Sequence, residues 1–292
     1  MYNLRNLLLI TIITGLFACN PMKKIESTQT SAYSAYENGD FAGALTQYEQ
    51  LMSLYKEQSK DVPYDIIVKA GKAAFNSKNF EKAKEYLSQA FEGNKTYELL
   101  KMLIETYKNL DETRLVKGLI TDNVAVYQKA GKKDEAYTEL FKMDYAAGKF
   151  EDAYNDYKNI SNPDIDLFPE YLKVLDELEK KDEAKEACKT ILVQDENSVA
   201  ALEWLAMDEY NKAEDWYNRE MSRYNKNKNA TTYAYLRRDL KKISAIFRSA
   251  RDKFLKLRTI DPENKKYIKY LKNTYLRLDM KDKAKEMNDL LK

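Results

Sequence analysis

Toward the C-terminus the apolar positions follow a fixed order. Ala250, Phe254 and Leu257 stand four and three residues apart, Pro262 interrupts them, Tyr275 follows, and a second alanine, Ala284, comes 34 positions after Ala250. Spacing by three and four marks one face of an α-helix, and a proline without an amide donor separates one helix from the next. Two antiparallel helices approach closely only where a small side chain such as Ala250 or Ala284 faces the neighbour. A bulky one such as Phe254 then fills the adjoining gap. The pattern predicts helical hairpins recurring along the chain.

The same order reads through most of the sequence. Gly39-Asp40-Phe41 predicts an inter-helix turn, with Asp40 capping the second helix and Ala44, Tyr48 and Leu51 at its packing positions. Next, Gly71 and Ala74 line a first helix, Asn79-Phe80 marks its turn, and Ala83, Leu87 and Ala90 line the second. Phe41 and Phe80 are 39 residues apart, and the surplus falls around Gln58 to Pro63, a longer inter-unit loop. The unit from Lys95 to about Ala130 is degenerate, with Val116 and Ile120 where a small residue and an aromatic are expected. Ala136 and Ala153 lie half a period apart, so the helix from about Lys133 to Ala147 is assigned as a first helix. A later pair turns at Lys180-Lys181-Asp182 and carries Ala184, Ala187 and Cys188, the cysteine as a small core residue. Asn197-Ser198 caps a helix with Leu202, Leu205 and Tyr210, where Trp204 and Trp216 read as core fillers, and a polar break follows at Arg223 to Asn229. Turns are expected near positions 39, 79, 110, 148, 181, 211, 245 and 279.

Small residue, aromatic and proline at a period of 34 resemble the tetratricopeptide repeat. The resemblance covers residues 30–292. It implies an all-α, TPR-like α-solenoid: a right-handed superhelix of about seven or eight antiparallel helix pairs, with no substantial sheet. It also implies a binding scaffold whose concave face is lined chiefly by the first helix of each unit. Some relatives clamp a partner's C-terminal carboxylate with Lys and Asn at first-helix positions. Lys269 and Asn273 fall at two such positions, but no unit follows to complete a clamp.

Composition narrows the chemistry. Charged residues make up 33% of the chain against only 8 Gly and 5 Pro, which favours long exposed helices over a loop-rich enzyme. Histidine is absent, which removes the commonest general base and metal ligand at neutral pH. No Gly-rich phosphate loop follows a strand-like run. Enzyme activity, a metal, a cofactor and a small-molecule substrate are therefore not expected, and a protein partner is. Glycan or peptidoglycan binding is the alternative, since 23 tyrosines could line a groove, although 2 tryptophans leave few aromatic platforms.

The net charge of +2 hides an asymmetry: residues 221–292 hold 21 Lys and Arg against 8 Asp and Glu. Within this basic region Arg237, Arg238, Lys241, Lys242, Lys265, Lys266, Lys269 and Lys272 recur at helical spacing. They are the candidate partner-binding residues, expected to share part of one face and to steer an acidic protein or anionic envelope polymer.

At the other end, Arg5 precedes an apolar run from Leu7 to Phe17, 11 residues where a membrane-crossing helix needs about 20. Leu16-Phe17-Ala18-Cys19 resembles a bacterial lipobox. The resemblance implies a signal peptide over 1–18, an acylated Cys19 holding the chain to a membrane, and a tether over 19–29. With Asn20 after the cysteine and no acidic tract, it implies attachment to the outer membrane on the periplasmic side, where nucleic acid is not a partner. A lipid anchor followed by repeats is similar in layout to lipoproteins that serve outer-membrane assembly.

Overall fold

The structure, a computed structural model, describes residues 21–292; the leader, Cys19 and Asn20 lie outside the described residues. Among these residues there are fifteen α-helices, one short 3-10 turn (Ile165–Leu167) and no strand, which agrees with the all-α reading. The chain divides into two compact units at Ala136/Tyr137.

The first unit contains α1 (Pro21–Glu37), α2 (Phe41–Glu57), α3 (Tyr64–Asn76), α4 (Phe80–Gly93), α5 (Tyr97–Asn109), α6 (Thr113–Asp122) and α7 (Val124–Lys129). From α1 to α7 each helix packs on the next, and α3 also reaches α5. Ala44, Tyr48 and Leu51 of α2 are fully buried, as are Ala83, Leu87 and Ala90 of α4, all at the packing positions expected. Gly71 shows why one position is glycine. A Cβ there would stand 2.9 Å from Leu87 Cδ2 and 3.2 Å from the Leu87 amide nitrogen, so α3 and α4 touch backbone to side chain.

The second unit takes in most of α8 (Lys133–Ala146), then α9 (Phe150–Lys158), α10 (Phe168–Glu177), α11 (Lys181–Gln194), α12 (Val199–Lys226), α13 (Ala230–Ile260), α14 (Lys265–Arg277) and α15 (Lys281–Asp289). One apolar cluster joins Phe141, Ala153, Leu172, Cys188 and Leu205 from α8 to α12. Another joins Leu202 and Ala206 of α12 to Ala250, Phe254 and Leu257, and on to Tyr267, Leu271, Tyr275 and Ala284. Phe254 lies flat on Tyr270, ring centroids 4.9 Å apart and planes 6° from parallel. Helix α12 thus buries one face toward α11 and another toward α13, so cohesion passes from neighbour to neighbour rather than through one centre.

The turns share one chemistry. Gly39, Ser59, Lys78, Asp111, Gly131, Gly148, Glu179 and Asp279 all have φ between +51° and +79°. In every case the next residue's amide donates to the carbonyl five residues back, as from Asp40 to Ala35, Asn79 to Ala74 and Met280 to Tyr275, at 2.8–3.0 Å. This left-handed closure satisfies carbonyls that the helix end would leave bare. Five of the eight turns use a residue other than glycine, at a cost of about 1 kcal/mol each. Asp40 caps α2 by accepting from the Gly43 amide at 2.9 Å.

The structure departs from the expected layout in three places. The tether over 19–29 is, from Pro21 on, the first part of α1, where Ile25 and Thr28 are buried on the face that continues to Ala32. Second, α6 and α7 are separate short helices broken at Asn123, where one degenerate second helix was expected. Third, no turn exists near 211 or 245. Both positions fall inside α12 and α13, which run 28 and 31 residues. The reason is a pattern of another kind: Leu236, Leu240, Ile243, Phe247, Ala250, Phe254 and Leu257 alternate steps of four and three without a breaker. That is a heptad seam, which keeps one side of a long helix against its partner. The pair is an antiparallel hairpin, and Lys253 to Glu209 closes its flank at 2.9 Å.

Candidate functional site

Helix α12 has a further stripe that is only partly buried against the two apolar clusters, through Ala200, Trp204 and Met207. Ala200, Glu203, Trp204, Met207, Asp208, Asn211, Lys212, Asp215 and Arg219 recur in steps of three and four along it. This stripe faces Pro169, Leu172 and Asp176 of α10 across a groove of about 830 Å³, with Lys181 at its edge. Pro169 stands in the first turn of α10, where the lost amide costs nothing, and directs that helix along the groove.

Trp204 spans the two walls. Its indole Nε1 donates to Asp176 Oδ1 at 2.8 Å, and the half-buried ring packs against the α8–α12 apolar cluster, as expected of a core filler, while its open side forms a wall of the groove. Trp216 also packs as expected, against Ala213, Ile243 and Phe247. Glu203 is bound to α14 through Lys266 and through the Tyr267 hydroxyl, which donates at 2.7 Å. Burial would raise the Glu203 carboxyl, but the hydrogen bonds from Lys266 and Tyr267 outweigh it and hold it below its usual range. Behind the groove, Cys188 is fully buried, and its thiol is pushed up to about 12 by desolvation and then by the Asp176 charge.

Chemically, the groove has an apolar floor of Leu172, Ala200, Trp204 and Met207 under a mixed-charge rim of Asp208, Lys212, Asp215 and Arg219. An open channel along one helix, with an adaptable thioether and an aromatic on its floor, suits a peptide that sets apolar side chains inward and polar ones outward. Among the described residues no group of three or more acidic or cysteine side chains converges to hold a metal ion, and no helix is long and apolar enough to cross a membrane.

The predicted basic residues do not form one face. Arg237, Arg238, Lys241 and Lys242 lie in the first half of α13, whereas Lys265, Lys266, Lys269 and Lys272 lie in α14, which packs on the second half of α13. At 1.5 Å per helical residue the two quartets are on the order of 20 Å apart. Their charges are also partly committed: Lys266 to Glu203, and Arg238 to Asp239 at 2.9 Å. Cys19 lies outside the described residues. The groove on α12 was not anticipated, although its sequence signal is the stripe itself, offset from Leu202, Leu205 and Ala206.

No protein-family model and no curated protein matches the chain. Solved structures of repeat proteins do. A TPR repeats protein from Bacteroides fragilis is 15% identical over 86% of this chain and 98% of its own, with a TM-score of 0.38. The C-terminal part of a TPR repeat-containing protein from Cytophaga hutchinsonii is 13% identical over 89% and 92%, with a TM-score of 0.48. YrrB, described as a TPR protein with an unusual peptide-binding site, is 16% identical over 63% and 96%, with a TM-score of 0.42. The likeness is to a manner of stacking helices and extends to no particular side chain.

Proposed function

We propose that this chain is a membrane-anchored scaffold of the bacterial envelope that holds a peptide segment of a partner protein in the groove between α10 and α12. The uninterrupted stripe on α12, with Trp204 fixed across it to Asp176, is the observation that carries the binding reading. The anchor rests on the lipobox resemblance at Leu16-Phe17-Ala18-Cys19 alone. With Asn20 after the cysteine, it supports placement on the periplasmic side of the outer membrane, and assembly of an outer-membrane complex is the role such a scaffold would serve.

The binding reading is tested by filling the groove. Ala200→Arg with Met207→Arg puts two long cations on the floor, and Val193→Arg, 88% exposed on α11, serves as control. The groove variant should lose the partner that co-purifies with the wild type and the control; equal recovery from all three contradicts the proposal. The anchor is tested by Cys19→Ala, which should release the protein from membrane fractions, whereas unchanged mature mass in the membrane fraction contradicts it.

Glycan binding has one observation in its favour. In the first unit, Tyr33, Tyr36, Tyr64 and Val68 surround a cavity of about 510 Å³ beside Tyr48, whose buried hydroxyl has no hydrogen-bond partner among the described residues. A peptidoglycan fragment that slows hydrogen exchange in α1 and α3 would favour that reading over the peptide groove.

A further inference from the structure

The long hairpin outruns its neighbours. Arg277 at the end of α14 reaches Glu214 and stands 4.2 Å from the centre of the Tyr217 ring, and Leu278 packs beside Ile243 and Phe247. Beyond that level, α12 continues from Tyr217 to Lys226, about 14 Å at 1.5 Å per residue. The ion pairs and ring contacts of this stretch stay inside the hairpin. Tyr224 meets Tyr233 at 5.9 Å, and Arg223 and Arg238 lie 5.6 and 5.3 Å from the centre of the Tyr235 ring.

The charge of this tip differs in kind from the charge below it. Residues 219–242 hold eight basic and two acidic side chains. Both acids are engaged, Glu220 by Arg223 at 3.9 Å and the buried Asp239 by Arg238 at 2.9 Å. Arg219, Lys226, Lys228, Arg237 and Lys241 make no ion pair among the described residues. On the body of the same unit acids and bases are more evenly mixed: Lys173, Lys180, Lys189, Lys253, Lys256 and Lys266 are each paired with a glutamate, although Lys185, Lys265, Lys269 and Lys272 are not among the described residues. Between the unpaired cations stand Tyr233 and Tyr235, 50% and 42% exposed.

We infer that the tip of the α12–α13 hairpin docks on the surface of an anionic lipid bilayer. A tip with cations on both helices and the connecting turn fits a flat sheet of negative charge. Exposed tyrosines amid lysines and arginines have the amphipathic chemistry of the headgroup layer: ring toward the lipid, hydroxyl and cations toward phosphate. The inference is independent of the peptide groove and of the lipobox.

Sedimentation with vesicles tests it, using residues 20–292, which carry the whole described fold, so that neither an acyl chain nor the apolar leader contributes. At about 100 mM salt the chain should bind phosphatidylglycerol-containing vesicles and not pure phosphatidylcholine ones. Reversing Lys226, Lys228, Arg237 and Lys241 to Glu should weaken binding at least 100-fold. Reversing Lys283 and Lys285 on α15 should change it by less than threefold. Because Arg237 and Lys241 flank the hairpin seam, a second variant reverses only Lys226 and Lys228 at the turn, and should weaken binding at least tenfold with the helical circular dichroism unchanged. Equal binding to both vesicle types, an equal loss from the α15 reversal, or undiminished binding by the tip variants overturns the inference. So does tip-dependent self-association, or tip-dependent retention on RNA, without vesicle binding.

Discussion

Replacing Phe254 with alanine tests how this chain holds together. The side chain is fully buried, stacked on Tyr270 and set between Ala250 and Leu257 in the cluster that joins α12 to α15. Removing a buried phenyl ring costs about 3–5 kcal/mol in lost transfer energy and residual cavity, with the offset stack inside that figure. With a urea slope of about 2 kcal/mol per molar, the transition reporting α12 to α15 should move down by about 2 M. Phe254→Leu keeps most of the volume, costs under about 1.5 kcal/mol, and should move it by less than about 0.8 M. Because α13 packs chiefly on α12 and α14 among the described residues, hydrogen exchange followed by mass spectrometry should show faster exchange in α12 to α15 and unchanged protection in α1 to α4. Equal shifts for alanine and leucine would refute the packing argument. Loss of protection in α1 to α4 to the same extent would refute the neighbour-to-neighbour account.

Cys188, whose thiol is pushed up to about 12, should resist alkylation at pH 8 in the folded chain and react at the rate of a free thiol once urea unfolds it; rapid labelling without unfolding would contradict its burial. Glu203→Gln should lower stability by about 1 kcal/mol at pH 7. The Glu203 carboxyl is held low in the folded chain, so its contribution is present above the ordinary carboxylate range and is lost as pH falls through the lowered value. The gap between wild type and variant should therefore close in acid; a gap constant from pH 7 to pH 3 would contradict the sign. Asp40→Ala removes the cap on the Gly43 amide and should cost about 1 kcal/mol, visible as faster exchange in the first turn of α2.

Helix existence was legible wherever a small residue, an aromatic and a turn signal coincided. Asp40 caps and Asn79 turns where the sequence places them, and Ala83, Leu87, Ala250 and Ala284 are buried as the packing argument requires. Reading by period failed where a second periodicity ran through it. From Leu236 to Leu257 the steps of four and three continue through the expected turn near 245, and a heptad seam with no Gly or Pro favours a continued helix over a left-handed turn. The split of the basic octet follows from that error, since a turn near 245 would have folded Arg237 to Lys242 back toward α14. The groove stayed hidden for a different reason. Trp204 sits between Leu202 and Leu205 in the sequence, and only the offset of about 100° per helical residue separates its face from theirs. The rim side chains Asp208, Lys212, Asp215 and Arg219 are of types that solvated helix faces carry throughout this chain, so composition alone could not mark them.

Site-directed photocrosslinking in intact cells tests the peptide groove most directly. A photoreactive residue at Ala200, Met207 or Asn211 looks into the groove, and one at Val193 looks away from it. The account predicts adducts with the same partner at all three groove positions, mapping to one contiguous segment of that partner, and none at Val193. Adducts of equal yield at Val193, or crosslinks scattered over unrelated proteins from every position, would contradict it.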